Sequence, residues 1–543
     1  MVFARRSTTL LAAIIASCAM VLSLTACTSD NKTVVDGQTT VTSNSAGGVA
    51  VFTPSDGITL NQQTPLNKWA KLVPDLAKAL ADAGFKKGDI DHTTSDSLAK
   101  QSRAIQDFVV DHLSNNTTDD SGIAIAPDNM TLLVAPVVEA DASTRQYGDY
   151  ISQNLSTNDA TDGEATSDGE SSEDDSSKDD SSNTESDSTA SDEQAQAVDR
   201  LVSSLKLAKE SGMHVVLLGN SIEGYKPDAF VKFSDAQTIG KLQAEKMVSK
   251  LKLDKASKDN PKYIEVLLPY TAVDEKGNAN DSTFDQEAFR GIWQVLGSYY
   301  QKGVVESPSG TLDGKSTEND WQAVAYDAAK EGSTAKVLDK RLAKTDGQST
   351  LTRIDGIITM NDYIASEVVK ELDDLGYTGS AADINPQITI SGIVGNITGK
   401  KDLSRDAVPD PIKSPENDNA NDSSSSDDDA DEDTSASDKD RDSQWPLVTG
   451  YGAYVSNIPS IVNGKQWMTG MEDRQTIATD IAQACAKLNK DEALNSMPST
   501  RNSEVGGVKK IPTISEPLLA VSASNLKSAL IDPGYISLAD AGL

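Results

Sequence analysis

Cysteine is nearly absent from this 543-residue chain. Its three, Cys18, Cys27 and Cys485, are too few and too scattered for a disulfide framework. Histidine is as sparse: His92, His112 and His214 lie far apart, so neither a metal nor a cofactor is expected. Basic residues never gather into a stripe that could meet phosphates, which argues against a nucleic-acid partner. There is no Gly-x-Ser-x-Gly elbow, no His-Glu-x-x-His, no P-loop and no EF-hand spacing, so an enzyme is not expected. After the first 24 residues no apolar run is long enough to span a bilayer.

What is present begins with Arg5 and Arg6, followed by an apolar run over 10–24. That run is short for a membrane span and has the layout of an export signal. It ends in Leu24-Thr25-Ala26-Cys27, which resembles the lipobox of bacterial lipoproteins. The resemblance implies a signal peptide over 1–26 and a lipid anchor on Cys27; an ordinary signal peptide cut nearby is the alternative. Two acyl chains would hold the protein to the cell membrane, facing outside the cytoplasm. Residues 27–48, rich in Thr, Ser, Asn and Gly, read as a flexible tether.

The net charge of −34 is concentrated. Residues 159–193 hold fourteen acidic side chains and one lysine, and residues 416–442 hold twelve acidic and two basic ones. Without these two runs the remainder carries only −11. Both runs lack apolar residues to bury, so insertions over about 152–194 and 414–443 are expected to be disordered.

Between them, strands and helices alternate. Strands are expected at 48–53, 131–136, 214–219, 263–269, 354–359 and 387–393. Helices are expected at 66–83, 102–113, 195–210, 236–251, 285–300, 321–331 and 363–375. Short apolar runs separated by helices imply parallel sheets buried on both faces. Ligands of such sheets sit beyond the carboxyl ends of the strands. Cys485, among alanines on a helical pattern, reads as a buried thiol.

Several stretches resemble the ribose/xylose-type periplasmic sugar-binding proteins, and the xylose-binding branch most. They are Phe233-Ser234-Asp235 with Ile239-Gly240-Lys241, then Phe289-Arg290-Gly291, then Thr359-Met360-Asn361-Asp362. The tail from Gly507 through Pro533-Gly534-Tyr535 is also similar. The resemblance implies an α/β chain of two Rossmann-like lobes with parallel sheets, joined by a three-strand hinge: the type 1 periplasmic-binding fold. It implies an N-terminal lobe of 49–234 with 472–512 and a C-terminal lobe of 235–471 with 513–543. It implies a monomer that captures a sugar or related polyol in the interlobe cleft and delivers it to an ABC permease. A module serving a sensor, or a surface interaction protein on a degenerate cleft, are the other readings.

Asp and Asn pair with vicinal hydroxyls, Arg offers a rigid fork of donors, and aromatic faces cover the apolar side of a sugar. The candidates are Arg290, Asn361, Asp362 and Asp235, with Trp69, Trp321, Asn220 and Tyr451 beside them. Each has a plainer role open to it: Asp235 and Asp362 as helix caps, Arg290 as an ion-pair partner, and either tryptophan as core. The chain also departs from the family. Asn220-Ser221 stands where Asp-Arg is usual. The turns 391–395 and 449–454 lack the Asp of the family's Gly-Gln-Asp turn, a charge-assisted hydrogen bond of roughly 1.5–3 kcal/mol. Tyr451 or Tyr454 could take its place by stacking, and a pentose is not expected.

Overall fold

The structure is a computed structural model in which residues 33–35, 38–40, 46–56, 65–115, 125–138, 144–157, 184–271, 282–328, 330–343, 350–382 and 444–543 are described. Cys27, the signal segment, the strand expected at 387–393, the turn at 391–395 and most of both acidic runs lie outside them. Residues 1–44 form a unit of their own, in which Thr33–Val35 pairs antiparallel with Gln38–Thr40. All that follows concerns the second unit, 45–543.

Its first sheet is built from β1 (Gly48–Pro54), β2 (Ile90–Ser95), β3 (Met130–Val134), β4 (His214–Leu218) and β5 (Ala229–Lys232). All are parallel, in the order β2-β1-β3-β4-β5. Side chains alternate between two cores, as a sheet covered on both faces requires. Val49, Val51, Leu133, Val216 and Leu218 face one helix layer, which includes α1 (Trp69–Asp82). Ala50, Phe52, Leu132, Val134 and Leu217 face the other, with α2 (Leu98–Asn115) and α3 (Thr184–Glu210). The start of α3 at Thr184 makes the end of the first acidic insertion helical. At its other end, Ile151 and Leu155 are buried rather than solvated, and Asn154–Leu155 pairs with Ser221–Ile222.

The chain then crosses at 233–235 into α4 (Ala236–Leu251) and a second sheet. Here follow β6 (Lys262–Val266), β7 (Leu268–Tyr270), α5 (Thr283–Gln301), β8 (Val305–Glu306), α6 (Trp321–Val324) and β9 (Ala325–Asp327). After them come α7 (Ser333–Arg341), β10 (Gly356–Ile358), α8 (Asp362–Leu375), β11 (Leu447–Tyr451), α9 (Ile458–Val462) and β12 (Met468–Met471). The parallel order β8-β6-β10-β11-β12 repeats the winding of the first sheet. The helix expected at 321–331 is a correction: it stops after one turn, because Ala325–Asp327 pairs with Leu268–Tyr270 instead. Two glycines of the motifs above have a packing reason. A Cβ on Gly240 would strike the Ala288 carbonyl oxygen, and one on Gly291 the Gln237 carbonyl oxygen, so α4 and α5 touch backbone to backbone.

A second crossing at 472–473 returns the chain to the first lobe. There α10 (Arg474–Leu488) buries Ile477, Ile481 and Cys485 against Leu72 and Leu76. The hairpin β13 (Thr500–Val505) and β14 (Val508–Ser515) extends the first sheet, β14 lying parallel to β5. A third crossing at 516–518 leads to β15 (Leu519–Ser522), antiparallel to β12 in the second sheet. Two α/β lobes with parallel-dominated sheets, joined by three crossings, are therefore what the chain forms among its described residues.

Candidate functional site

The order 2-1-3-4-5 has its switch point between the first and third strands, and ligands of such sheets lie beyond the carboxyl ends there. Backbone strain collects at those ends in the second lobe. Met360, just after β10, has φ 66°, and Ala453, just after β11, has φ 50°. Both are left-handed values that non-glycine residues rarely hold without a reason.

The strand ends of the two lobes meet, and polar groups link them. Asn67, at the entry to α1, donates through Nδ2 to the Tyr451 hydroxyl at 3.0 Å. The Ser234 hydroxyl, on the first crossing, shares a 2.5 Å hydrogen bond with the same Tyr451 hydroxyl. The Leu66 amide donates to the Gly452 carbonyl at 2.9 Å. From the connection after β3, Gln146 accepts from Asn361 Nδ2 at 3.0 Å, and its carbonyl accepts from the Tyr454 hydroxyl at 2.6 Å. Glu472, on the second crossing, accepts from the Ser234 amide at 2.5 Å. Burial pushes the Glu472 carboxyl up to about 7. Tyr451 is fully buried, and burial raises its phenol well above the usual range, with Glu472 adding to the effect.

The seam thus gathers Asn361 and Tyr451 from the sequence candidates, and Asp362 stands directly behind them. Asn361 also caps α8, its Oδ1 accepting from the Ile364 amide at 2.9 Å. Asp362 is fully buried and encircled by donors: the Tyr454 amide at 3.0 Å, Thr469 Oγ1 at 2.8 Å and Gln466 Nε2 at 2.7 Å. Burial lifts its carboxyl to about 6 against these donors. These bonds tie the Gly452–Tyr454 turn to the start of α8.

The other candidates are engaged differently. Asp235 caps α4, accepting from the Thr238 amide at 2.7 Å and pairing with Lys232 at 2.7 Å. Arg290 is half-exposed and pairs with Glu287 one turn back on its own helix. Trp69 packs edge-on to Tyr150 at 5.1 Å and to Phe233 at 5.7 Å. Trp321 packs edge-on to Tyr270 at 5.2 Å inside the second lobe. Asn220 is buried and ties two loops together, donating to the Pro136 carbonyl and accepting from the Gln153 amide, both at 2.9 Å. Residues not singled out in the sequence carry much of the seam: Asn67, Gln146, Tyr147 and Glu472. A usable signal for one of them was the aromatic pair Tyr147 and Tyr150, spaced by Gly-Asp in an otherwise polar connection.

Among the described residues, the neutral side chains Asn67, Gln146, Ser234, Asn361, Tyr451 and Tyr454 line the seam together with the Glu472 carboxyl. The neutral ones can exchange hydrogen bonds with hydroxyls at no charge cost. Among the described residues no helix is long and apolar enough to cross a membrane.

No family model matches the chain, and no curated protein does. Solved structures do. One is an ABC transporter solute-binding protein from Clostridium phytofermentans with bound beta-D-glucose, 17% identical. The match covers 91% of this chain and 99% of that one at a TM-score of 0.44. A carbohydrate transporter solute-binding protein from Chloroflexus aurantiacus, in complex with D-glucose, is also 17% identical. There 92% and 98% of the two chains are covered at 0.43. AraP, an arabinose-binding protein from Geobacillus stearothermophilus, is 9% identical over 89% and 99% at 0.40.

Proposed function

We propose that this chain is a solute-binding lipoprotein that captures a sugar or related polyol between its lobes and hands it to an ABC permease. The observation that carries the reading is the meeting of two doubly wound sheets at their carboxyl ends, where neutral amides and phenols converge. Hinged lobes suit capture, since a ligand that touches both favours the closed arrangement. Asn67, Gln146, Asn361, Tyr451 and Tyr454 offer donors and acceptors without charge, which suits a neutral polyol. The lobes divide at the three crossings, 233–235, 472–473 and 516–518. Anchoring through Cys27 outside the cytoplasm completes the picture, on the strength of the lipobox-like segment.

A thermal-shift screen of the purified chain against mono- and oligosaccharides tests this. A ligand at 100 times its dissociation constant stabilises the folded state by about 2.7 kcal/mol, a readily measured rise in melting temperature. Asn361→Ala should abolish the rise. A full panel without a rise, or a rise indifferent to Asn361→Ala, would exclude the proposal.

A further inference from the structure

The connection after β3 reaches both lobes, with one group of residues for each. Gly148, at φ 98°, lies against the Asn67 carbonyl, where a Cβ would come within 2.7 Å of the oxygen. Asp149 pairs with Lys68 at 2.8 Å and accepts from the Trp69 amide at 3.2 Å. The Tyr150 hydroxyl donates to the Lys68 carbonyl at 2.5 Å, and its ring stacks on Phe233 at 4.8 Å. These residues fasten the strap to the first lobe.

Gln146 and Tyr147 reach the other way. Gln146 bonds to Asn361 and Tyr454, as above. Tyr147 is only 1% exposed and belongs to the second lobe's core. Its ring lies 4.7 Å from Phe284 and 6.3 Å from Tyr451. The first lobe thus pushes an aromatic ring into the second at the strand ends where the proposed solute would sit. The ring is well packed, and its hydroxyl is fully buried beside Asn361, with Asp285 near it.

We infer that Tyr147 is a built-in plug: it holds the lobes shut from inside the cleft and must withdraw before a solute enters. This rests on the solute-binding reading for what enters, but the latch itself does not. The site it fills takes a flat six-membered ring with one hydroxyl at its far pole. A pyranose has the same ring size and more hydroxyls, so it can use both Asn361 and Tyr454 where the phenol offers a single hydroxyl. The plug lowers apparent affinity by the fraction of time it is seated.

Two variants of the full chain test the plug by hydrogen exchange. The Leu66 and Glu472 amides report the seam, bonding to the Gly452 carbonyl and to Asn67 Oδ1. Val216, in the middle of β4, reports the first lobe's core. Tyr147→Ala should speed exchange at both seam amides by about tenfold and leave Val216 unchanged, tenfold being 1.4 kcal/mol of lost closure. Tyr147→Phe keeps the ring, so it should leave the seam amides as they are in the parent. Unchanged seam exchange in Tyr147→Ala, or equal acceleration at Val216, overturns the plug. So does tenfold faster seam exchange in Tyr147→Phe, which decides the matter even if the alanine variant fails to fold. With D-glucose as probe, Tyr147→Ala should bind about tenfold more tightly than the parent and Tyr147→Phe like the parent. Seam exchange as expected, with no monosaccharide bound by any variant, upholds the plug and removes the sugar reading.

Discussion

Glu472→Gln isolates the most consequential buried charge at the hinge. Glu472 is 1% exposed and sits on the second crossing, with its Oε1 on the Ser234 amide of the first. Burial is the main cause of its raised carboxyl, and Asp235 and Asp473 push in the same direction. A pKa that rises from 4.5 to about 7 on folding means that the folded state holds the proton more tightly. The stability attached to that proton is therefore fully present below pH 4.5. It drains away as pH rises to about 7, by up to 1.36 kcal/mol per pH unit, and is flat beyond. The whole window is worth about 3 kcal/mol. Glutamine keeps an oxygen for the Ser234 amide and cannot ionise. The variant should match the parent at pH 4.5 and exceed it by about 2–3 kcal/mol at pH 8. Urea unfolding at several pH values, followed by tryptophan fluorescence, gives both curves. A variant less stable than the parent at pH 8, or one keeping the same slope between pH 5 and 7, would refute the argument.

Other outcomes follow from the packing. Gly240→Ala or Gly291→Ala should cost about 1–3 kcal/mol by forcing α4 and α5 apart, read as a lower melting temperature; a neutral effect would deny the backbone contact. His112 is buried, stacks on Phe108 at 5.9 Å, and has neither ring nitrogen hydrogen-bonded. Burial lowers its pKa, so its contribution is present above the unfolded value of 6.5 and is lost as pH falls below it. His112→Phe should therefore stabilise the chain, by about 1–3 kcal/mol at neutral pH and by more at pH 5. Equal effects at both pH values would contradict this.

Legibility in the sequence tracked burial. The helix read at 236–251 is α4 end to end, because an Asp cap and a regular apolar face mark it. Strands 48–53, 131–136 and 214–219 stood out as apolar runs and form the centre of the first sheet. β2 escaped notice because its edge position leaves Ile90-Asp91-His92-Thr93-Thr94 polar and largely exposed. Residues 325–327 read as helix because Ala, Tyr and Asp next to more alanines suit one; parallel pairing with β7 overrode that local preference.

The site was legible in chemistry more than in geometry. Asn361, Asp362 and Asp235 were correctly placed at strand or helix ends, yet sequence spacing does not show which neighbours will claim their oxygens. Thr238 and Lys232 claim Asp235, and Tyr454, Thr469 and Gln466 claim Asp362. The strap at 144–151 was missed because it has no period. Its order comes from contacts with Asn67, Lys68 and Phe233 that are far away in sequence.

The measurement that reaches furthest is a crystal structure of the chain grown with whichever monosaccharide raises its melting temperature most. Solute density between Asn361, Tyr451 and Tyr454, with Tyr147 drawn out of the second lobe, is the predicted result. Solute bound away from the seam, or a seam that stays closed on Gln146 and Tyr147 with sugar at saturation, would contradict it.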